Sequence, residues 1–197
     1  MATGECTLAA RVGGWLFRYR GYAPLPLLLF PLTAARPLTI EWWLAAMVLV
    51  AVGESMRLAG VAAAGPETRR RTRAVQRLVT YGAFSWTRNP LYTGNFLAWT
   101  GFALLSGDPR FVSVAIALFA IVYGFIVRYE EAVLESIFGD DYLAYKHSTP
   151  RWLPRRPRPM VRGTHCWRDA WRAETSTFAN YVGLAVVLAA KARFPIL

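Results

Sequence analysis

The sequence predicts an all-α, polytopic membrane protein of about five transmembrane helices with cytoplasmic helical extensions, in one domain over residues 1–197. Two observations predict it. Of the 197 residues 55% are hydrophobic, yet the formal net charge is +11, a pairing foreign to a soluble globule. The two properties also separate along the chain, with apolar residues in blocks and arginines between them. A spanning helix needs about 20 mostly apolar residues, and the blocks read as such spans.

Taken in order, the first span is GYAPLPLLLFPLTA (21–34), extended back through Trp15 and Phe17. The second is EWWLAAMVLVAVGES (41–55) and the third LYTGNFLAWTGFALLS (91–106). The fourth, FVSVAIALFAIVYGFIV (111–127), is the cleanest, and the fifth is FANYVGLAVVLAAKA (178–192). Several are interrupted by Pro or Gly, which membranes tolerate where neighbouring helices or a wet cavity satisfy the freed backbone groups.

Charge orients the spans. The loop 57–90 carries Arg57, Arg69, Arg70, Arg71, Arg73, Arg77 and Arg88, and 146–172 carries a second basic set from Lys146 to Arg172. The alternate loops are tiny, one holding Arg36 and the other Asp108 and Arg110. By the positive-inside rule both basic segments are cytoplasmic, with the N-terminus inside and the C-terminus outside. A bacterial cytoplasmic membrane is the expected location. MATGECTLAARVGGW lacks the pattern of a signal peptide. Cys6, Cys166, His147 and His165 are too sparse for a disulfide framework or a structural metal site, so no metal is expected. The connector RRPRPMVRG suits anionic headgroups better than nucleic acid, and no nucleic-acid partner is expected.

Two polar constellations flank the fourth span and the start of the third. In GAFSWTRNPLYTGN (82–95), Gly82 permits a turn and Pro90 pushes Asn89 out of the helical region. Pro90 then suits the first turn of the third span, whose free N–H groups face the cytoplasmic interface beside Arg88 and Tyr92. As an interfacial anchor, Arg88 would snorkel and Trp86 and Tyr92 would join the aromatic belt. In RYEEAVLESIFGDDYLAYKHSTPRWLP (128–154) the fourth span continues as a helix beyond the membrane. Gly139 ends it, and DDYLAYKH opens a short helix stopped before Pro150. A doubled glutamate so near the membrane edge is costly without a partner. Pairing with arginines alone would also account for it.

Together, in this order and spacing, the two stretches resemble the isoprenylcysteine carboxyl methyltransferase and phospholipid methyltransferase superfamily of integral membrane enzymes. The matching residues are GAFSWTRNPLYTG, EEAVLESIFGDDYLAY and TPRWLP, a motif core of 76–154. The upstream RLAGVAAAGPETR is similar to the loop that precedes the core in bacterial members. The resemblance implies methyl transfer from S-adenosylmethionine to a lipid-like or prenylated acceptor at the cytoplasmic face. It places the cofactor in a pocket built by the helices and their extensions. Carried over by motif, the cofactor contacts are Gln76, Arg77, Leu78, Val79, Phe84, Asn89, Pro90, Leu91, Tyr92 and Glu130. Glu130 suits the cofactor's ammonium, and Arg88 or the amides opening the third span suit its carboxylate. Phe84 and Tyr92 suit its adenine or sulfonium. Glu131 and Tyr145 are the candidates for proton transfer, which an amine acceptor requires.

Three departures from the family pattern narrow this reading. Asn89 stands for the family's histidine, and Phe84 stands for a tyrosine. Ile126 stands where prenylcysteine-methylating members carry an arginine for the substrate carboxylate. Arg128 does not replace it, because two residues turn a helix to nearly the opposite face. A lipid or other membrane-partitioned acceptor, an amine headgroup included, is therefore expected instead of prenylcysteine. Trp167, Trp171 and the nearby arginines read as an amphipathic interfacial segment, and 160–197 as an extension beyond the core. The competing readings are a membrane reductase of the sterol-reductase type using NADPH, and a non-catalytic scaffold or transporter.

Overall fold

The computed structural model describes residues 8–20, 39–65, 77–156 and 163–193. These form α1 (Leu8–Tyr19), α2 (Ile40–Ala64), a 3-10 turn (Gly82–Ser85), α3 (Pro90–Leu104), α4 (Pro109–Phe138), α5 (Asp140–Ser148) and α6 (Trp167–Arg193), with no strand among the described residues. The predicted first span, 21–34, lies outside the described residues, as does Gln76.

Helix α2 runs past the expected end at Ser55 to Ala64. The alanine-rich RLAGVAAA favours helix, and the stop comes at Gly65, whose φ of 87° suits glycine. Arg57, assigned to a loop from the sequence, is therefore inside a membrane-length helix. One side of α2 presents Ile40, Leu44, Met47, Val48 and Val52 outward, while Ala46, Gly53, Leu58 and Val61 are buried. The buried side meets α3 at very short range. A Cβ on Gly94 would lie 2.5 Å from the Gly53 carbonyl oxygen, and one on Gly53 would lie 2.6 Å from that of Gly94. Small residues let two backbones touch, which is how apolar helices gain packing energy when lipid offers no hydrophobic drive.

Helix α4 opens with Pro109 at its first turn and Asp108 as N-cap, whose carboxylate accepts from the Arg110 amide at 2.9 Å. Its 30 residues extend about 45 Å. It carries the predicted fourth span and the doubled glutamate in one piece and breaks at Gly139, with φ 51°. The short helix expected from DDYLAYKH follows at once as α5. Between α3 and α4 lies a core of Tyr92, Phe119, Tyr123, Ile126 and Val127, against which Leu16 and Phe17 of α1 pack.

By length and hydropathy α2 and α4 can cross a membrane. Helix α3 corresponds to the predicted third span but has only 15 residues. Helix α6 joins the expected interfacial segment and the expected fifth span in one helix, with Trp167 and Trp171 exposed near its start.

Candidate active site

Before α3 the chain folds into the 3-10 turn allowed by Gly82 at φ 60°. Asn89 then adopts φ −127° and ψ 55°, outside the helical region as Pro90 requires, and α3 begins at Pro90. On the far side of α4, the segment after α5 comes back beside this turn. The Arg88 amide donates to the Pro150 carbonyl at 2.9 Å, and the Arg155 amide donates to that of Trp86 at 2.9 Å. Thr87 Oγ1 and Asn89 Nδ2 both donate to the Arg151 carbonyl, at 2.9 and 3.1 Å. The two constellations are thus joined by two backbone–backbone and two side chain–backbone hydrogen bonds.

Their charged centres meet at Glu131. Its Oε1 accepts from Arg88 Nε and Nη2 at 3.2 and 3.0 Å. The same carboxylate takes Arg151 through Nε at 3.0 Å and Nη2 at 2.7 Å. Arg88 Nη1 donates to the carbonyls of Lys146 and Thr149 at 2.7 and 2.6 Å. Glu131 is 5% exposed, so this pairing is what makes its burial tolerable. Tyr145, also buried, donates its hydroxyl to the Phe84 carbonyl at 2.7 Å. Burial holds that phenol above its ordinary pKa, so it stays protonated as a donor. Glu131 and Tyr145, expected from the sequence to move protons, are both engaged in holding contacts.

Glu130, one residue earlier, turns elsewhere. It is half-buried, and the Tyr92 hydroxyl of α3 faces its carboxylate. Tyr92 packs its ring 5.1 Å from that of Tyr123, and Tyr123 stacks on Phe119 at 4.1 Å. Ile126, at the position of the missing arginine, is fully buried in this aromatic cluster. Asn89 donates to Arg151 and does not cap α3, so the first amides of α3 keep their donors. Leu91 is half-buried and Pro90 buried. Arg77 turns toward the end of α2, donating to the Ala63 carbonyl at 3.5 Å and to the Tyr81 hydroxyl at 3.1 Å, and Leu78, Val79 and Phe84 are half-buried.

Two arginines were assigned no role from the sequence. Arg151 sits in the TPRWLP tail, where nothing local shows that it will face Glu131. Arg20, at the end of α1, lies with its guanidinium 3.9 Å from the Phe17 ring centroid and acts electrostatically on Glu130 and Tyr92. Its 110 residues of separation from Glu130 hide it from any motif.

The arginine-asparagine-proline turn before α3 is thus tied through Arg88 to Glu131 of the glutamate pair on α4. Residues 41–141, just over half of the chain, match the family model of the phospholipid methyltransferases, and the chain belongs to that family. Protein-S-isoprenylcysteine O-methyltransferase A of Arabidopsis thaliana is 32% identical over 127 residues, covering 58% of this chain and 61% of its own length. The protein-S-isoprenylcysteine O-methyltransferase of Schizosaccharomyces pombe is 37% identical over 84 residues, 41% of this chain and 34% of the relative. The cobalt-zinc-cadmium resistance protein CzcN of Cupriavidus metallidurans is 29% identical over 114 residues, 56% and 51% respectively. The matched part thus spans 61% or less of these relatives' own length. No solved structure matches the chain.

Proposed function

We propose that this protein is an S-adenosylmethionine-dependent methyltransferase of the membrane. It would act on a lipid or other membrane-partitioned acceptor at the cytoplasmic face of a five-span bundle. The observation that carries this reading is the junction of Arg88, Glu131 and Arg151. It ties the two motifs together and leaves Glu130 and Tyr92 side by side at the start of α3. The donor set fits the cofactor. Glu130 offers a carboxylate for an ammonium, the opening amides of α3 suit a carboxylate, and Phe84 and Tyr92 are the aromatic candidates for the adenine or sulfonium.

When bound, S-adenosylmethionine would supply an electrophilic methyl carbon on a sulfonium, with Glu130 holding its ammonium and the opening amides of α3 its carboxylate. The chain's part is binding, alignment and exclusion of water. Arg88 is committed to Glu131 and two carbonyls, so the α3 amides are the better carboxylate site, and Arg88, Glu131 and Tyr145 hold the walls together. Gln76, Arg77, Leu78 and Val79 remain expected contacts from the family motif. The buried Ile126 supports an acceptor other than prenylcysteine. None of the relatives named above is called a reductase, and the NADPH reading gains no support from them.

The test uses purified full-length protein, methyl-labelled cofactor and a total lipid extract. Label in the organic phase, with S-adenosylhomocysteine binding measured by calorimetry, is the expected result. Absence of both, with thermal stabilisation by NADPH, overturns the proposal.

A further inference from the structure

Three parts of the chain converge on Tyr81, the residue before Gly82. Its hydroxyl donates to the Ala63 carbonyl near the end of α2 at 2.9 Å and accepts from Arg77 Nη2 at 3.1 Å. Arg77 Nη2 also lies 3.5 Å from that carbonyl, which closes a triangle. Both contacts use one nitrogen of an exposed residue, so the guanidinium is aimed while most of its donors stay clear of them. The Tyr81 carbonyl accepts from the Phe84 amide at 3.2 Å and so opens the 3-10 turn. Tyr81 therefore sets two of the cofactor contacts expected from the family motif, Arg77 through its hydroxyl and Phe84 through its backbone.

The third part comes from beyond the motifs. The His165 ring meets that of Tyr81 edge-on, with centroids 5.6 Å apart and planes at 80°. Gly163 lies against the same ring, where a Cβ would fall 2.2 Å from Tyr81 Cδ2. Residues 163–166 thus form a strap across Tyr81 and Gly82, and the strap is anchored. The Cys166 amide donates to the Ala62 carbonyl at 2.9 Å, and Ala170 of α6 is buried with Leu58, Val61 and Ala62 of α2. Further along α6, the fully buried Glu174 accepts from Arg57 Nη2 at 3.0 Å, and Glu54 Oε1 accepts from the Tyr181 hydroxyl at 2.6 Å. Breaking a buried ion pair is costly, so this clasp keeps α6, and the strap leading into it, on α2. Neither strap nor clasping helix lies in the stretch that matches the family model.

Resting on the methyltransferase reading, we propose that Tyr81 is a positioning residue for the cofactor, aiming Arg77 and Phe84, and that the strap 163–166 holds its ring in place. The C-terminal extension then belongs to the cofactor site and is more than an anchor.

Full-length variants test this. Tyr81→Phe removes the hydroxyl and keeps the ring under the strap. It should raise the KM for S-adenosylmethionine and the Kd for S-adenosylhomocysteine about tenfold and leave kcat within about threefold. Arg77→Ala should weaken binding similarly, and the double variant should be no worse than Arg77→Ala alone, because the hydroxyl acts through that side chain. Wild-type affinity in Tyr81→Phe, or losses that multiply in the double variant, overturns the proposal. Hydrogen exchange over residues 82–87, whose Phe84, Trp86 and Thr87 amides are bonded within the turn, gives a readout independent of turnover. It should quicken in Gly163→Ala, which drives a methyl into the Tyr81 ring, and in His165→Ala, which removes the edge contact without adding bulk. Unchanged exchange in both also overturns the proposal. If the wild-type protein neither binds S-adenosylhomocysteine nor transfers a methyl, the methyltransferase reading fails, while the exchange comparison still decides whether the strap holds the turn.

Discussion

Arg88 illustrates how one side chain can serve as a joint. Four of its donor contacts go to Glu131, Lys146 and Thr149, and its own amide goes to Pro150. Arg88→Met would strand a buried carboxylate that Arg151 alone only partly covers. We expect a loss of about 3–5 kcal/mol, visible as a lowered thermal midpoint in detergent. Glu130→Gln should behave differently, leaving the midpoint nearly unchanged while weakening S-adenosylhomocysteine binding about tenfold by calorimetry. The adjacent glutamates would then have separate duties, one for architecture and one for ligand. Arg88 and both glutamates were legible in the sequence because they sit in local motifs. Arg151 was visible as a residue but not as a partner. The pairing of Arg57 with Glu174 was illegible, since residues 117 apart share no periodicity. A signal did exist: Glu54 and Arg57 are charges inside an apolar helix, and such charges mark function by default.

At the scale of helices, α2 and α3 cross with their backbones in near contact. A Cβ on Gly94 would strike both the Gly53 carbonyl and the Arg57 stem, at 2.5 and 2.7 Å. Gly94→Ala should therefore force the backbones apart and cost about 1–3 kcal/mol, measurable by thermal unfolding, whereas Gly183→Ala, with nothing within 4 Å, should be near neutral. The apolar run of α4, its polar continuation and α5 could be read ahead of the structure because an apolar run, a glycine and a proline mark their ends. The end of α2 could not. A basic residue after a hydrophobic block looks like the start of a loop, yet RLAGVAAA keeps helical propensity, and tertiary ion pairs make the arginine welcome inside.

For the whole molecule, the charge asymmetry predicts which side of the bilayer each segment occupies. Cys166, exposed just before α6, is expected on the cytoplasmic side. In a Cys6→Ser background an impermeant maleimide should label it in inverted vesicles and spare it in right-side-out ones. Labelling in the opposite pattern would reverse the topology. The length of α4 carries a last consequence. Its apolar run 111–127 measures about 26 Å, close to a hydrocarbon thickness, and Glu130 stands roughly one turn further along the same rigid rod. A ligand reacting at that height would be selected by immersion depth, like a float against a gauge. Amphiphiles whose reactive atom rides just above the oily layer would come into register, and those that sink deeper or drift into water would miss.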